Sequence, residues 1–360
     1  MLIFDAHLDL AMNAMEWNRD LRQDLHELRR RESGMTDLKD RGNGVVSIPA
    51  MRRGQIGLCV ATQIARYSKP DNPLAGWASP EQAWAQTQAQ LAWYRAMEEQ
   101  GYLTQITTVE QLHRHRALWS DPDATAPTSD PLPIGYILSL EGADSIVTLD
   151  HLERAHQSGL RALGPAHYGP GTYSAGTNCE GGFTEKGRDL LKKMGELGMI
   201  LDVTHLTDEA LEEGLDTYPG PLWASHCNCR QLVPHQRQLD NHHIEKVIQR
   251  NGVIGAVFDA WMMVPDWVRG ETTPQATGLR IEAIVEHIDH ICQIAGNSDH
   301  VGIGSDLDGG YGTEQCPTDL DNIEKLQTIA PLLQAHGYSD EDVAKILSDN
   351  WIRFLEEAWS

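Results

Sequence analysis

Eight short apolar runs recur along the chain, most of them separated by stretches with helical spacing, and few folds accommodate that rhythm. The runs are Leu2–Phe4, Gly57–Ile64, Ile134–Leu140, Leu160–Ala166, Met199–Thr204, Leu222–Ser225, Val253–Phe258 and Val301–Gly304. The first reads as a strand buried on both faces, as in a parallel sheet covered by helices. Helical patterns run over Ala83–Glu99, Thr184–Leu197, Asp208–Leu215, Ile244–Arg250 and Leu279–Ile294. Ser79-Pro80-Glu81 opens the first of these, with Ser79 as N-cap and proline in the first turn, and Thr184 caps the second. Eight strands alternating with helices at this chain length predict an α/β fold, a (β/α)₈ TIM-like barrel. The open doubly wound sheet is the runner-up, weakened because no GxGxxG follows the first strand. Residues 11–53 are polar and charge-rich and read as a long loop with helical pieces, Arg29-Arg30-Arg31 being a solvated face. Residues 120–132 are a loop by composition. The strand–helix rhythm resumes after them, so residues 1–360 are expected to form a single domain.

Charge and composition exclude several classes. The chain carries 29 basic and 52 acidic residues, a net charge of −23, which argues against nucleic acid or an anionic membrane as partner. No stretch approaches the roughly 18 consecutive apolar residues of a spanning helix, and the chain is expected to be cytoplasmic, with no membrane partner. The six cysteines form no CxxC pair and read as free thiols of a reducing compartment.

His7 and Asp9 stand where the first run ends, two residues apart, so on a strand they point to the same side. An imidazole and a carboxylate converging there are natural ligands for a divalent metal. The plainer alternative is a buried histidine salt-bridged to an aspartate. The other runs favour the metal. Glu141 follows the third, His167 the fourth, His205 the fifth, His226 the sixth and Asp306 the eighth. In a parallel barrel all strand C-termini open on one face, where active sites are built, so these residues converge there.

The matching segments are Asp5-Ala-His7-Leu-Asp9, Gly54-Gln-Ile-Gly57, Glu141-Gly142-Ala-Asp, Phe183-Thr-Glu-Lys-Gly187, Leu201-Asp-Val-Thr-His205, Ser225-His226 through Arg237, and Gly304-Ser-Asp306-Leu-Asp308-Gly309. In these, and in their order, the chain resembles the membrane dipeptidase (renal dipeptidase) family of dinuclear zinc peptidases. The resemblance covers nearly the whole chain. It implies a hydrolase that cuts the peptide bond of dipeptides with a metal-bridging hydroxide, on a (β/α)₈ barrel, with two Zn²⁺ per chain. His7 and Asp9 would bind one ion, His205 and His226 the other, and Glu141 would bridge them. Two such ions can share a water and bring its pKa towards neutrality. The resemblance makes His167 the group that polarises the substrate carbonyl, and Arg237, rather than the nearby Arg230, the receiver of the substrate's carboxylate. Asp306 becomes the proton carrier between attacking water and leaving amine, while Asp308 is expected in an outer shell. It also suggests a homodimer.

One departure stands out. After the seventh strand the family carries an Asn-Phe-Tyr type sequence whose tyrosine helps hold the substrate's carboxylate, where this chain has Ala256-Val-Phe258-Asp259-Ala-Trp261. An acidic Asp259 there would repel a carboxylate unless a cation intervenes. Two rival readings differ in their signatures. An amidohydrolase acting on N-acyl amino acids, lactams or other amides usually carries HxH on strand one and a bridging lysine on strand four, whereas this chain has HxD and a glutamate. A non-catalytic binding barrel would have lost a ligand or Asp306, and neither is missing.

Overall fold

The computed structural model describes residues 1–69, 74–121 and 131–360, so most of the loop expected over 120–132 lies outside the described residues. Among the described residues nine strands form one sheet: β1 (Ile3–Leu8), β2 (Ile56–Ile64), β3 (Leu103–Gln105), β4 (Ile134–Glu141), β5 (Leu160–Gly164), β6 (Ile200–Asp202), β7 (Leu222–Trp223), β8 (Ile254–Ala256) and β9 (Val301–Ile303). Eight of them follow the order β7-β6-β5-β4-β2-β1-β9-β8, every pair parallel. The ring is completed by a parallel bridge between Ala224, just past β7, and Ile254 of β8. The expected barrel is therefore present, and its eight strands are the eight apolar runs. The ninth, β3, is too short to show any periodicity. It shares one edge of β4, pairing with Ile134–Tyr136 where β5 takes Leu138–Glu141.

Alternation along the strands sorts inside from outside. Phe4, Val60, Ile137, Ala162, Ile200 and Trp223, from six strands, pack together in one cluster. Their neighbours one position away, such as Ile3, Cys59, Tyr136, Leu163, Leu201 and Leu222, pack in another, against the surrounding helices. The inner cluster also contains Trp351, Phe354 and Leu355 of the C-terminal helix Asn350–Ala358, which plugs the barrel end opposite the strand C-termini. Trp351 meets Phe4 and Trp223 at ring distances of 6.2 and 5.8 Å, and its indole donates to the Ile303 carbonyl at 3.1 Å.

Two local irregularities shape the other end. Asp5 of β1 pairs with Cys59 of β2, and Leu8 with Ala61, so β1 spends one residue more than β2 over that span. This bulge at Ala6–His7 sends His7 to the barrel mouth while Leu8 returns to the outer layer. Where β7, β8 and β9 meet, the Ser225 carbonyl lies so close that a Cβ on Gly255 or Gly304 would sit 1.9 or 1.8 Å from its oxygen. Only glycine fits at either place. The region before β2 is coil with the helices Leu10–Met15, Leu25–Glu32 and Ile48–Arg53, as expected, and Ser79 and Thr184 cap their helices by accepting from Gln82 N and Gly187 N. Among the described residues no helix is long and apolar enough to cross a membrane.

The plug gives a stability prediction. Trp351→Ala should lower the unfolding free energy by about 3–5 kcal/mol, the usual cost of emptying a large buried aromatic site. Denaturant unfolding measures it. A loss under 1 kcal/mol would mean that the helix does not complete the core.

Candidate metal centre

Four of the polar residues stand at the same offset from their strands. His167, His205, His226 and Asp306 each lie three residues beyond the last residue of β5, β6, β7 and β9. Glu141 ends β4 and His7 sits within β1. His205 and Asp306 take left-handed backbone angles, φ 68° and 58°, that side chains other than glycine seldom adopt. The turns are held by buried side chains reaching across to the next strand. Asp5 accepts from Ser305 N at 2.8 Å and Ser305 Oγ at 2.5 Å, binding the His7 strand to the Asp306 turn. Asp202 does the same between β6 and the turn after β7, accepting from Thr204 N and Ser225 N, both at 3.1 Å.

These elements bring five candidate ligands together around Glu141. Its Oε1 lies 3.2 Å from His205 Nε2 and 3.5 Å from His226 Nε2, and its Oε2 lies 3.6 Å from His7 Nε2. His7 Nε2 is also 4.0 Å from Asp9 Oδ2 and 3.7 Å from Asp306 Oδ1. Ligand atoms at the corners of a tetrahedron with bonds near 2.0–2.1 Å stand about 3.3 Å apart, so the 3.2–3.6 Å separations around Glu141 are compatible with groups that could hold an ion. Among the described residues His7 Nε2 is buried without a hydrogen-bond partner, and the Nε2 atoms of His205 and His226 face each other at 3.3 Å. Behind these two rings, Thr177 Oγ1 and Ser225 Oγ each stand 2.9 Å from Nδ1. Thr62 donates to Asp9 Oδ1. The donor set of three imidazoles and two carboxylates suits a borderline divalent ion such as Zn²⁺.

The electrostatics ask for positive charge. Burial opposes a proton on His7, but Glu141, Asp9 and Asp306 outweigh it and raise His7 to about 10. Burial, with Glu141 beside it, pushes Asp9 up to about 6. Burial also raises Asp306 well above the usual carboxylate range, against the pull of His7 and with help from Asp9 and Glu141. A divalent cation offsets such a concentration of carboxylates.

A cavity of about 580 Å³ opens above the centre, lined by Asp9, Glu141, His167, His205, Arg237, Asp259 and Asp306 among others. Arg237 is buried, donates to the His226 carbonyl at 2.8 Å and to Cys227 Sγ at 3.2 Å, and among the described residues its Nε has no partner. Arg230 instead pairs with Asp208 at 2.6 Å. Asp308 turns away and accepts from Val45 N and Val46 N, both at 2.9 Å. Asp259 does line the cavity. It pairs not with Arg237 but with Gln315, whose amide donates to it at 2.7 Å. Burial raises Asp259 to about 6, with Arg269 and Gln315 opposing. Sequence reasoning missed Arg66, whose Nη2 lies 2.7 Å from His167 Nδ1, as well as Thr177, Ser225 and Gln315.

Against this geometry stand the comparisons with known proteins. The sequence profile of the membrane dipeptidase family, peptidase family M19, matches residues 1–359. The chain belongs to that family. Dipeptidase tcpJ of Claviceps purpurea (strain 20.1) is 30% identical over 69% of this chain. The match spans only 58% of that relative's own length. Among solved structures, dipeptidase AC, a metallopeptidase of family M19, superposes with a TM-score of 0.79 at 24% identity, covering 100% of this chain and 99% of its own. A metallopeptidase from Rhodobacter sphaeroides, liganded with a phosphinate mimic of the dipeptide L-Ala-D-Ala, gives 0.77 at 23% identity with the same coverage. At those identities the two structures show a shared fold.

Asp259 yields a pH prediction for this family member. Below about pH 4 its carboxyl is protonated folded and unfolded alike and contributes nothing; above about pH 6 it is ionised in both, and the buried charge destabilises the fold. Asp259→Asn keeps an acceptor for Gln315 and removes that charge. The variant should match wild type near pH 4 and exceed it by on the order of 2–3 kcal/mol at pH 8, measured by denaturant unfolding. Equal stabilities at pH 8 would show that Asp259 is not buried as a charge.

Proposed function

We propose that this chain is a zinc-dependent dipeptidase that holds two Zn²⁺ ions and hydrolyses the peptide bond of dipeptide-like substrates. The observation that carries the reading is the division of Glu141, with Oε1 facing His205 and His226 and Oε2 facing His7. A carboxylate so divided is suited to bridging. His7 and Asp9 would hold one ion and His205 and His226 the other. When bound, such ions supply Lewis acidity, lowering the pKa of a water and polarising a carbonyl.

The chain's own groups do the rest. Arg237 offers its guanidinium, buried in the cavity wall, to the substrate's terminal carboxylate. His167 stabilises the oxyanion that forms on the scissile carbonyl. Asp306, at the cavity wall 3.7 Å from His7 Nε2, takes a proton from the attacking water and delivers it to the leaving amine. The family membership and the dipeptide mimic bound by the Rhodobacter sphaeroides relative support the reading. The acidic Asp259 in the same cavity favours substrates whose C-terminal portion is basic or uncharged, and it keeps alive a second reading, a hydrolase of N-acyl amino acids, lactams or other non-dipeptide amides.

A panel of neutral dipeptides, dipeptides with a basic C-terminal residue, N-acyl amino acids and lactams, assayed after chelation and again after zinc is restored, separates the two. Zinc-restored cleavage of dipeptides, with the lower KM for the basic series, is expected; cleavage confined to the N-acyl or lactam members would replace this reading with the second. Metal analysis should approach two equivalents per chain, and Glu141→Ala should lose both metal and activity. One equivalent that survives that change would remove Glu141 as the bridge.

Asp306→Asn should keep its metal and lose most turnover, on the order of 10²–10⁴-fold, because the amide can accept a hydrogen bond yet cannot carry the proton. Near-wild-type kcat would take Asp306 out of the reaction.

A further inference from the structure

The histidines of the mouth differ in what stands behind the ring. His205 and His226 place Nδ1 against hydroxyl oxygens, Thr177 Oγ1 and Ser225 Oγ. A hydroxyl oxygen accepts, so each ring can keep its proton on Nδ1 and turn the Nε2 lone pair to the centre, as a metal ligand must. Behind His167 stands Arg66, with Nη2 2.7 Å from Nδ1. A guanidinium has only donors and keeps its proton in proteins. Nδ1 of His167 is therefore the acceptor, and the ring's one proton sits on Nε2, 3.9 Å from Glu141 Oε1. Proximity alone would not reveal this. Glu141, His167 and His205 bring their ligand atoms within 4.8 Å of one another, a grouping that could hold an ion if the His167 lone pair were free.

We propose that Arg66 is a positioning residue that fixes His167 as the neutral Nε2–H tautomer, making it a hydrogen-bond donor to the substrate and holding it out of the metal's coordination shell. The role at the substrate rests on the dipeptidase reading above; the tautomer does not. Arg66 is anchored for the task. It lies two residues past β2, its carbonyl accepts from Trp77 N at 2.8 Å, and its Nη1 donates to the Ala75 carbonyl at 2.9 Å. Both partners belong to the cavity wall, so one side chain ties that wall to the ring of His167. A carboxylate in the same place would accept from Nδ1–H and turn the Nε2 lone pair inward, the arrangement that makes ligands of histidines. The sign of the charge behind the ring decides between donor and ligand.

Two measurements test this. In ¹⁵N-histidine-labelled wild-type protein, with and without Zn²⁺, two-bond ¹H–¹⁵N spectra report the tautomer, His167 being identified by the signal missing in His167→Asn. A proton on Nε2 and none on Nδ1 is expected in both states. A proton on Nδ1, or a shift of Nε2 on zinc loading like that of the ligand histidines, overturns the proposal. In kinetics, Arg66→Met should lower kcat by on the order of 10–10²-fold with a smaller change in KM. Arg66→Gln, whose amide can still donate, should recover part of the loss. In the His167→Asn background Arg66→Met should cost nothing further, and equal losses in both backgrounds would refute the coupling. If Arg66→Met does not fold, the wild-type spectrum decides. If wild type cleaves no dipeptide, the functional reading fails while the spectrum still answers for the tautomer.

Discussion

Carboxylates crowded at the mouth of a closed barrel are the constraint on which the rest of this structure depends. Glu141, Asp9 and Asp306 surround His7, largely out of contact with water. Taking like charges out of water is unfavourable unless an opposite charge joins them. Here Glu141, Asp9 and Asp306 raise the pKa of His7 against the effect of its own burial, so the spot favours positive charge. The surrounding architecture keeps that demand from relaxing. Asp5 and Asp202 tie adjacent strand ends together through Ser305 and Ser225, and Gly255 and Gly304 let the Ser225 carbonyl come close enough to set His226.

Much of this was legible in the sequence because it rests on short-range regularities. The eight apolar runs are the eight barrel strands, and ligand-type residues follow them because a parallel barrel gathers its strand ends on one face. The common offset of three residues at His167, His205, His226 and Asp306 gives that gathering its geometry. What escaped depends on tertiary contacts or on departures from regularity. His7 and Asp9 do converge, but the bulge at Ala6–His7 that re-aims His7 has no signal in the sequence. Strand β3 has three residues and no periodicity to read. Thr177, Ser225 and Gln315 are small or neutral polar residues whose roles come only from what they touch. Arg66 lies among loop residues and meets His167, 101 positions away, only after folding.

Asp259 shows where sequence and structure inform each other. Its place after β8 marked it as a departure from the family, and the structure puts it in the cavity with its carboxylate bound by Gln315 rather than by Arg237. Arg237 thereby keeps its Nε unspent. The anion of this chain's own and the group suited to a substrate's anion stand in one cavity without cancelling each other.

The pairing of β1 with β9 has a consequence for how the chain acquires its centre. Asp5 meets Ile303 across that seam, and the Asp5–Ser305 bonds stitch it. His7 and Asp9 come from one side of the seam and Asp306 from the other. On the ribosome β1 must therefore wait, with one edge open, until β9, some 300 residues on, has emerged, and contacts so distant in sequence form slowly. Ring closure is the step that sets Asp306 beside His7, 3.7 Å away, and completes the mouth around the candidate ligands. A divalent ion that binds only the closed ring draws the folding equilibrium towards closure by mass action.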